Sequence, residues 1–256
     1  MHDAETRRQA LALVAHGQSL NSVSRQTGIS RAAIRSWQLR PDSLDRTMPC
    51  PRCRAVPRPP DDAAAYAYLL GLYLGDGCIS LLRGGVHSLR IACSDTWPGL
   101  IEVCAASMRA IRPDNKVMRV RSEGCQYVTA YSKHWPCLFP QHGRGKKHER
   151  AIVLELWQQE IVDARTWDFI RGLIHSDGCR TVNWTTRLID GQRKRYEYPR
   201  YFFTNTSTDI IGLFTGALDT VGVEWKSANR SRGAQNISVA RRASVALMDI
   251  HVGPKY

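Results

Sequence analysis

No stretch of the 256 residues stays apolar for anything near the roughly 20 residues that a bilayer span needs, so no membrane-crossing helix is expected. Acidic side chains are scarce: 23 Asp and Glu stand against 36 Lys and Arg, for a formal charge of +13. That imbalance argues against a basic partner and for a polyanion, with nucleic acid ahead of an anionic membrane surface. The opening MHDAETRR lacks the apolar core of a secretory leader. A cytoplasmic location is therefore expected, nucleoid-associated when the protein holds its partner, and a monomer is expected. Eight cysteines are spread along the chain without the density of a disulfide framework, so reduced thiols are expected. A second C-x-x-C pair is also missing. Cys50 and Cys53 form one such pair, but a tetrahedral zinc site needs four ligands, and His142 and His148 are not spaced to complete it.

Residues 1–40 form a unit of their own. ETRRQALALVAHG sets Ala10, Leu11, Leu13 and Val14 on one helical stripe and stops at Gly17. SLNSVSRQTGISRAAIRSWQL then supplies two short helices around Thr27-Gly28-Ile29, with Ser30 as an N-cap. The pattern resembles the helix-turn-helix of bacterial regulators and transposases, in which Leu20, Val23, Ile29, Ile34 and Trp37 would pack together. Arg31, Ala32, Arg35 and Ser36 would then face a major groove. Residues 41–60, rich in proline and arginine, read as a linker.

From Asp61 onward the chain writes one sentence twice. YLLGLYLGDGC (Tyr68 to Cys78) and DFIRGLIHSDGC (Asp168 to Cys179) are apolar runs that close on Asp-Gly-Cys. Each is followed by strand, strand, helix, strand, strand and helix patterns, which divides the remainder into halves at 61–162 and 163–256. Gly71 and Gly75 are one helical turn apart, as are Gly172 and Ser176, so each motif helix carries a face almost free of side chains. Two such faces can meet backbone to backbone. Asp76 and Asp177 would then arrive side by side at the negative ends of two helices, an arrangement that is costly unless cations neutralise it. Hard oxygen ligation by few protein groups favours Mg²⁺ or another divalent cation, with water and phosphate oxygens filling the remaining positions.

LLGLYLGDG (Leu69 to Gly77) and IRGLIHSDG (Ile170 to Gly178) resemble the nine-residue motif of the LAGLIDADG homing endonucleases, in the single-chain form that carries two copies. Each matches at the central glycine, the leucine after it and the final Asp-Gly, while the earlier aspartate of the motif is Leu74 in one copy and His175 in the other. The resemblance implies an α+β fold of two pseudo-twofold related αββαββα half-domains whose sheets sit over a DNA duplex, with the all-α helix-turn-helix unit appended. It further implies that Asp76 and Asp177 bind divalent ions and support cleavage of both strands of a specific site. A DNA-binding transcriptional regulator that keeps the fold without the chemistry is the alternative. Retention of both aspartates favours the nuclease, because a pure binder has no use for two mutually repelling carboxylates. An intein is disfavoured, since the closing HVGPKY lacks the His-Asn and nucleophile of splicing chemistry.

A lysine near each metal would offset charge on the attacked phosphate. Aligning the two repeats offers Lys146, or its neighbour Lys147, in the first half and Lys255 in the second. Strand alternation assigns Ile79 and Leu81, Leu89 and Ile91, Val117 and Val120, Val182 and Trp184 to buried sheet faces. The opposite faces are expected to present Arg83, Arg90, Arg119, Arg121, Asn183, Arg187, Arg200 and Arg230 to phosphates and base edges. Cys78 and Cys179, just after the motifs, are expected as small buried residues.

Overall fold

The computed structural model describes residues 4–39, 59–229 and 233–256. Cys50, Cys53, nearly all of the 41–60 linker and Arg230 lie outside the described residues. The chain forms two compact units, residues 1–58 and 59–256.

The first unit contains α1 (Ala4–Ala15), α2 (Leu20–Thr27) and α3 (Arg31–Leu39). Ser19 caps α2 by accepting from the Ser22 N–H at 3.2 Å, and Ser30 does the same for Ala33 at 3.3 Å. Between them Gly28, at φ +69°, makes the left-handed turn that reverses the chain and donates to the Ser24 carbonyl. Ala10, Val23, Ile29, Ile34 and Trp37 are buried together, with Leu20 partly buried beside them. Arg35 is exposed, whereas Arg31, also exposed, donates to the Asn21 amide oxygen at 2.8 Å.

The second unit is α+β and repeats itself. Its first half runs α4 (Ala63–Asp76), β1 (Gly77–Leu81), β2 (His87–Ser94), α5 (Pro98–Ile111), β3 (Val117–Ser122), β4 (Cys125–Ser132) and α6 (Trp135–Leu138). A connecting helix, α7 (Leu156–Ala164), leads to α8 (Thr166–Asp177), β5 (Gly178–Ile189), β6 (Gln192–Asn205), α9 (Thr208–Thr220), β7 (Lys226–Asn229), β8 (Gln235–Val239) and α10 (Arg242–His251). A division after residue 162 falls inside α7. Both sheets are antiparallel with the same order, β1-β2-β4-β3 and β5-β6-β8-β7. One continuous apolar core joins the halves, running from Tyr66, Leu69 and Leu89 through Phe169 and Leu173 to Phe203 and Phe214. No helix among the described residues is long and apolar enough to cross a membrane.

Strand parity corrects several expectations. Ile79, Leu89 and Ile91 are buried under the helices, but Leu81 (65% exposed) lies beyond their cover. Val182 (52%) and Trp184 (58%) share the helix-side parity of Gly178 and Arg180, yet they lie on the part of the β5–β6 hairpin that outruns the helices. Val117 pairs with Ala130 on the covered face, whereas Val120, three residues on, has the opposite parity and is exposed. Cys78 and Cys179 are exposed rather than buried, because they follow Gly77 and Gly178 onto the open faces of the sheets.

Candidate active site

Helix α4 is apolar on every side because it runs through the core of the second unit, buried from Tyr66 to Leu74. Its partner is α8, and the small residues of the two motifs make the contact. A Cβ on Gly71 would lie 2.6 Å from the Phe169 carbonyl oxygen, and one on Gly172 would lie 2.2 Å from that of Tyr68. A Cβ on Gly75 would run into Ser176, at 2.4 Å from its Cβ, and would sit 3.2 Å from the Asp177 carboxyl carbon. Close backbone packing therefore brings the ends of both helices, and with them Asp76 and Asp177, to one place. The glycines after the aspartates are not left-handed helix stops, as φ is −91° at Gly77 and −100° at Gly178. They serve close passage instead: a Cβ on Gly77 would lie 2.6 Å from the Cα of Tyr73, and one on Gly178 would lie 2.7 Å from that of Ile174.

The site's electrostatics follow from that packing. The Asp76 carboxyl is pushed up to about 6, first by the protein crowded around it at the helix ends and then by the charge of Asp177. Asp177 is raised by burial and held down in part by Asn205, whose amide donates to its Oδ2 at 2.6 Å. Two lysines answer the two carboxylates. The Lys147 ammonium donates to the carbonyls of Tyr73 and Gly75, the latter at 2.9 Å, and Lys255 donates to the Ser176 carbonyl at 2.7 Å. Each lysine thus sits at the carbonyl end of one motif helix. Burial pushes Lys147 down to about 8 against the opposing pull of Asp177 and Asp76, and it lowers Lys255 in the same way.

Two cavities result, and they are composite. One, of about 560 Å³, is lined by Asp177, Asn205 and Lys147 together with Tyr73 and Cys78. The other, of about 290 Å³, is lined by Asp76, Lys255, Cys93 and His175. Each half-domain's lysine therefore lies in the cavity of the other half's aspartate. Lys146, the residue the repeat alignment puts forward, also lines the larger cavity, but its side chain is 73% exposed and its ammonium faces Glu149 at 3.8 Å. The structure brings Lys147 to the carboxylates because the 3₁₀ turn Lys147–Glu149 swings it inward. Arg150 fastens that loop by donating to the carbonyls of Gly145 at 2.7 Å and Gln141 at 3.2 Å.

Asn205 escapes a reading of the sequence, because NTST (Asn205 to Thr208) has the composition of a helix cap. The cap is Ser207, whose hydroxyl accepts from the Ile210 N–H at 3.4 Å; Asn205 braces it by accepting from the Ser207 N–H through Oδ1 at 2.8 Å, and its amide nitrogen is turned to Asp177. The repeat holds the signal. Gly178 pairs with Phe203 two residues before Asn205, and Gly77 pairs with Ile91 two residues before Cys93. The position facing each aspartate is thus Asn in one half and Cys in the other.

The predicted arginines divide by face. Arg90 is on the open side of the first sheet, its guanidinium 5.7 Å from the Tyr127 ring centroid. Arg187 and Asn183 share the open face of β5 with Arg200 of β6, which pairs with Thr181 and stacks near Tyr198 and Phe202. Arg83 is exposed in the β1–β2 turn. Arg119 is on the other side: its parity is that of Val117, and it makes a two-pronged ion pair with Glu102 of α5, both contacts at 2.5 Å. Arg121 shares that helix-side parity. Neither is on the open face. Met118 and Val120 occupy the positions there instead.

No family model matches the chain, and no curated protein matches it. Solved structures do. The homing endonuclease I-DmoI in complex with DNA and Mn aligns over 76% of this chain and 98% of its own, with TM-score 0.51 and 16% identity. Mesophilic variants of I-DmoI align over 74% of this chain and 96% of theirs, with TM-score 0.50 and 16% identity. The fold is that of the LAGLIDADG homing endonucleases.

Proposed function

We propose that the protein is a site-specific double-stranded DNA endonuclease of the LAGLIDADG type, hydrolysing one phosphodiester in each strand. The observation that carries this reading is the convergence of Asp76 and Asp177 on touching helix ends, each in a cavity that holds a lysine of the opposite half. Among the described residues no group of three or more His, Cys, Asp or Glu gathers into a metal cage. The donor set instead offers one hard carboxylate per cavity, which suits Mg²⁺ that keeps positions for water and phosphate. Held by Asp76 and Asp177, such ions would polarise the scissile phosphates and activate water.

The chain's own groups do the rest. Asn205 ties down Oδ2 of Asp177 and so fixes the carboxylate plane. Lys147 and Lys255, anchored on helix-end carbonyls, hold positive charge where the phosphate gains negative charge. Arg90, Arg187 and Arg200 on the open sheet faces supply phosphate and base contacts. I-DmoI, solved with DNA and Mn, supports this use of the fold. The three-helix unit of residues 1–58 adds affinity through Arg31 and Arg35 in the manner of a helix-turn-helix.

The test is incubation with a randomised duplex library and Mg²⁺, beside an Asp76→Asn/Asp177→Asn double variant. Metal-dependent double-strand cuts that vanish in the variant are the expected result. Tight, salt-sensitive binding with no cutting would refute the nuclease and leave the DNA-binding regulator.

A further inference from the structure

The two lysines are held by different means. Lys147 belongs to an internal loop fastened by Arg150. Lys255 belongs to the segment after α10, residues 252–256, which leaves the second half and docks on the first. Its anchor is Tyr256. The ring lies against Gly99 in the first turn of α5, where a Cβ would approach Cδ2 and Cε2 to 2.1 and 2.2 Å. The main-chain oxygen of Tyr256 accepts from the Leu100 N–H at 3.2 Å, in a helix whose N-cap residue, Trp97, offers no side-chain cap. The wall of the seat is His175, buried and hydrogen-bonded through Nδ1 to the Tyr68 hydroxyl at 3.0 Å, with its ring edge-on to Tyr256 at 6.5 Å. Upstream, His251 stacks on Trp167 at 4.2 Å. Lys255 is slung between these two attachments, and Gly253, at φ +71°, makes the turn that leads into it.

We propose that Tyr256, seated on Gly99 and His175, is the positioning residue for Lys255, so that the Asp76 cavity has its cation only while this segment is docked. The proposal rests on the nuclease reading for its catalytic consequence, but not for its structural one. Loss of the anchor would leave the Asp177 cavity, with Lys147 and Asn205, intact, and would turn a double-strand cutter into a nicking enzyme.

Two measurements test it on the 256-residue chain, using Tyr256→Ala, Tyr256→Phe and Gly99→Leu. The first is labelling by an amine-reactive acyl ester read by mass spectrometry. Lys255 should react much more slowly than exposed Lys146 in the wild type, catch up with it in Tyr256→Ala and Gly99→Leu, and stay slow in Tyr256→Phe, which keeps the ring. The second is strand-resolved cleavage. Tyr256→Ala should cut one strand about 10²-fold more slowly, with the other strand's rate and KM unchanged. Equal Lys255 labelling in wild type and Tyr256→Ala, or equal slowing of both strands, overturns the proposal. If the wild type cuts neither strand, the nuclease reading fails, and the labelling result still decides whether Tyr256 places Lys255.

Discussion

Replacing Gly172 with alanine tests whether the motif helices position the aspartates. The new methyl would sit 2.2 Å from the Tyr68 carbonyl oxygen and 3.0 Å from the Cα of Gly71. Real Cβ contacts are longer, so the helices must part by about 1 Å in a close-packed interior. Overpacking of this kind costs about 3 kcal/mol, at the upper end of its usual range, because the obstacle is backbone and cannot rotate away. Alanine's better helix propensity returns about 1 kcal/mol, which leaves a net loss of about 2 kcal/mol. Asp177 lies five positions further along the same helix, and a shift of about 1 Å at the reacting groups can slow chemistry about 10²-fold. Gly212, in α9 with nothing within 4 Å of its missing Cβ, is the control, and alanine there should stabilise by about 1 kcal/mol. Urea denaturation and cleavage rates measure both. Should Gly172→Ala match Gly212→Ala in midpoint and cut at the wild-type rate, the helix contact does not set the carboxylates.

Lys147→Met should slow cleavage of the strand served by Asp177 by about 10²-fold, while Lys146→Met, losing only an exposed charge, should leave it unchanged in strand-resolved assays. For Asp76, whose folded value is raised to about 6 from 3.8, the linked stability is fully present below pH 3.8 and is lost as pH rises through about 6. Subtracting an Asp76→Asn stability profile from the wild type's should show that decline between those values, and a flat difference would contradict it. Arg200→Ala should lower the salt dependence of DNA binding by about one unit of slope, whereas Arg119→Ala, whose charge is taken by Glu102, should not change it in a salt titration.

Much of the fold was legible because its signals are local and doubled. The motif helices, their glycines and the order of strands recur at both ends of one core, so each copy checks the other. The failures have a common physical origin in parity. Reading Val117 and Val120 as one face made Arg119 and Arg121 neighbours of DNA, yet residues three apart in a strand face opposite ways, and the arginines follow Val117 to the helix side. Val182 and Trp184 alternate as core residues do, and sequence does not reveal that their hairpin outruns the helices that would cover them. Lys146 and Lys147 are neighbours at the entry to a 3₁₀ turn, where no repeat period fixes which side chain turns inward. Asn205 was hidden beside a plainer role, the capping of α9, which Ser207 performs.

The unequal hairpins carry a consequence for the proposed DNA target. Strands β1 and β2 have 5 and 8 residues, whereas β5 and β6 have 12 and 14. At about 3.4 Å per residue, the seven residues by which β5 exceeds β1 add roughly 24 Å, the rise of about seven base pairs. Arg187 and Lys194 stand side by side on that extra arm. A recognition sequence built to match would be lopsided, with a long half-site and a short one, and a palindrome would leave the arm with no symmetric counterpart to read the twofold-related half.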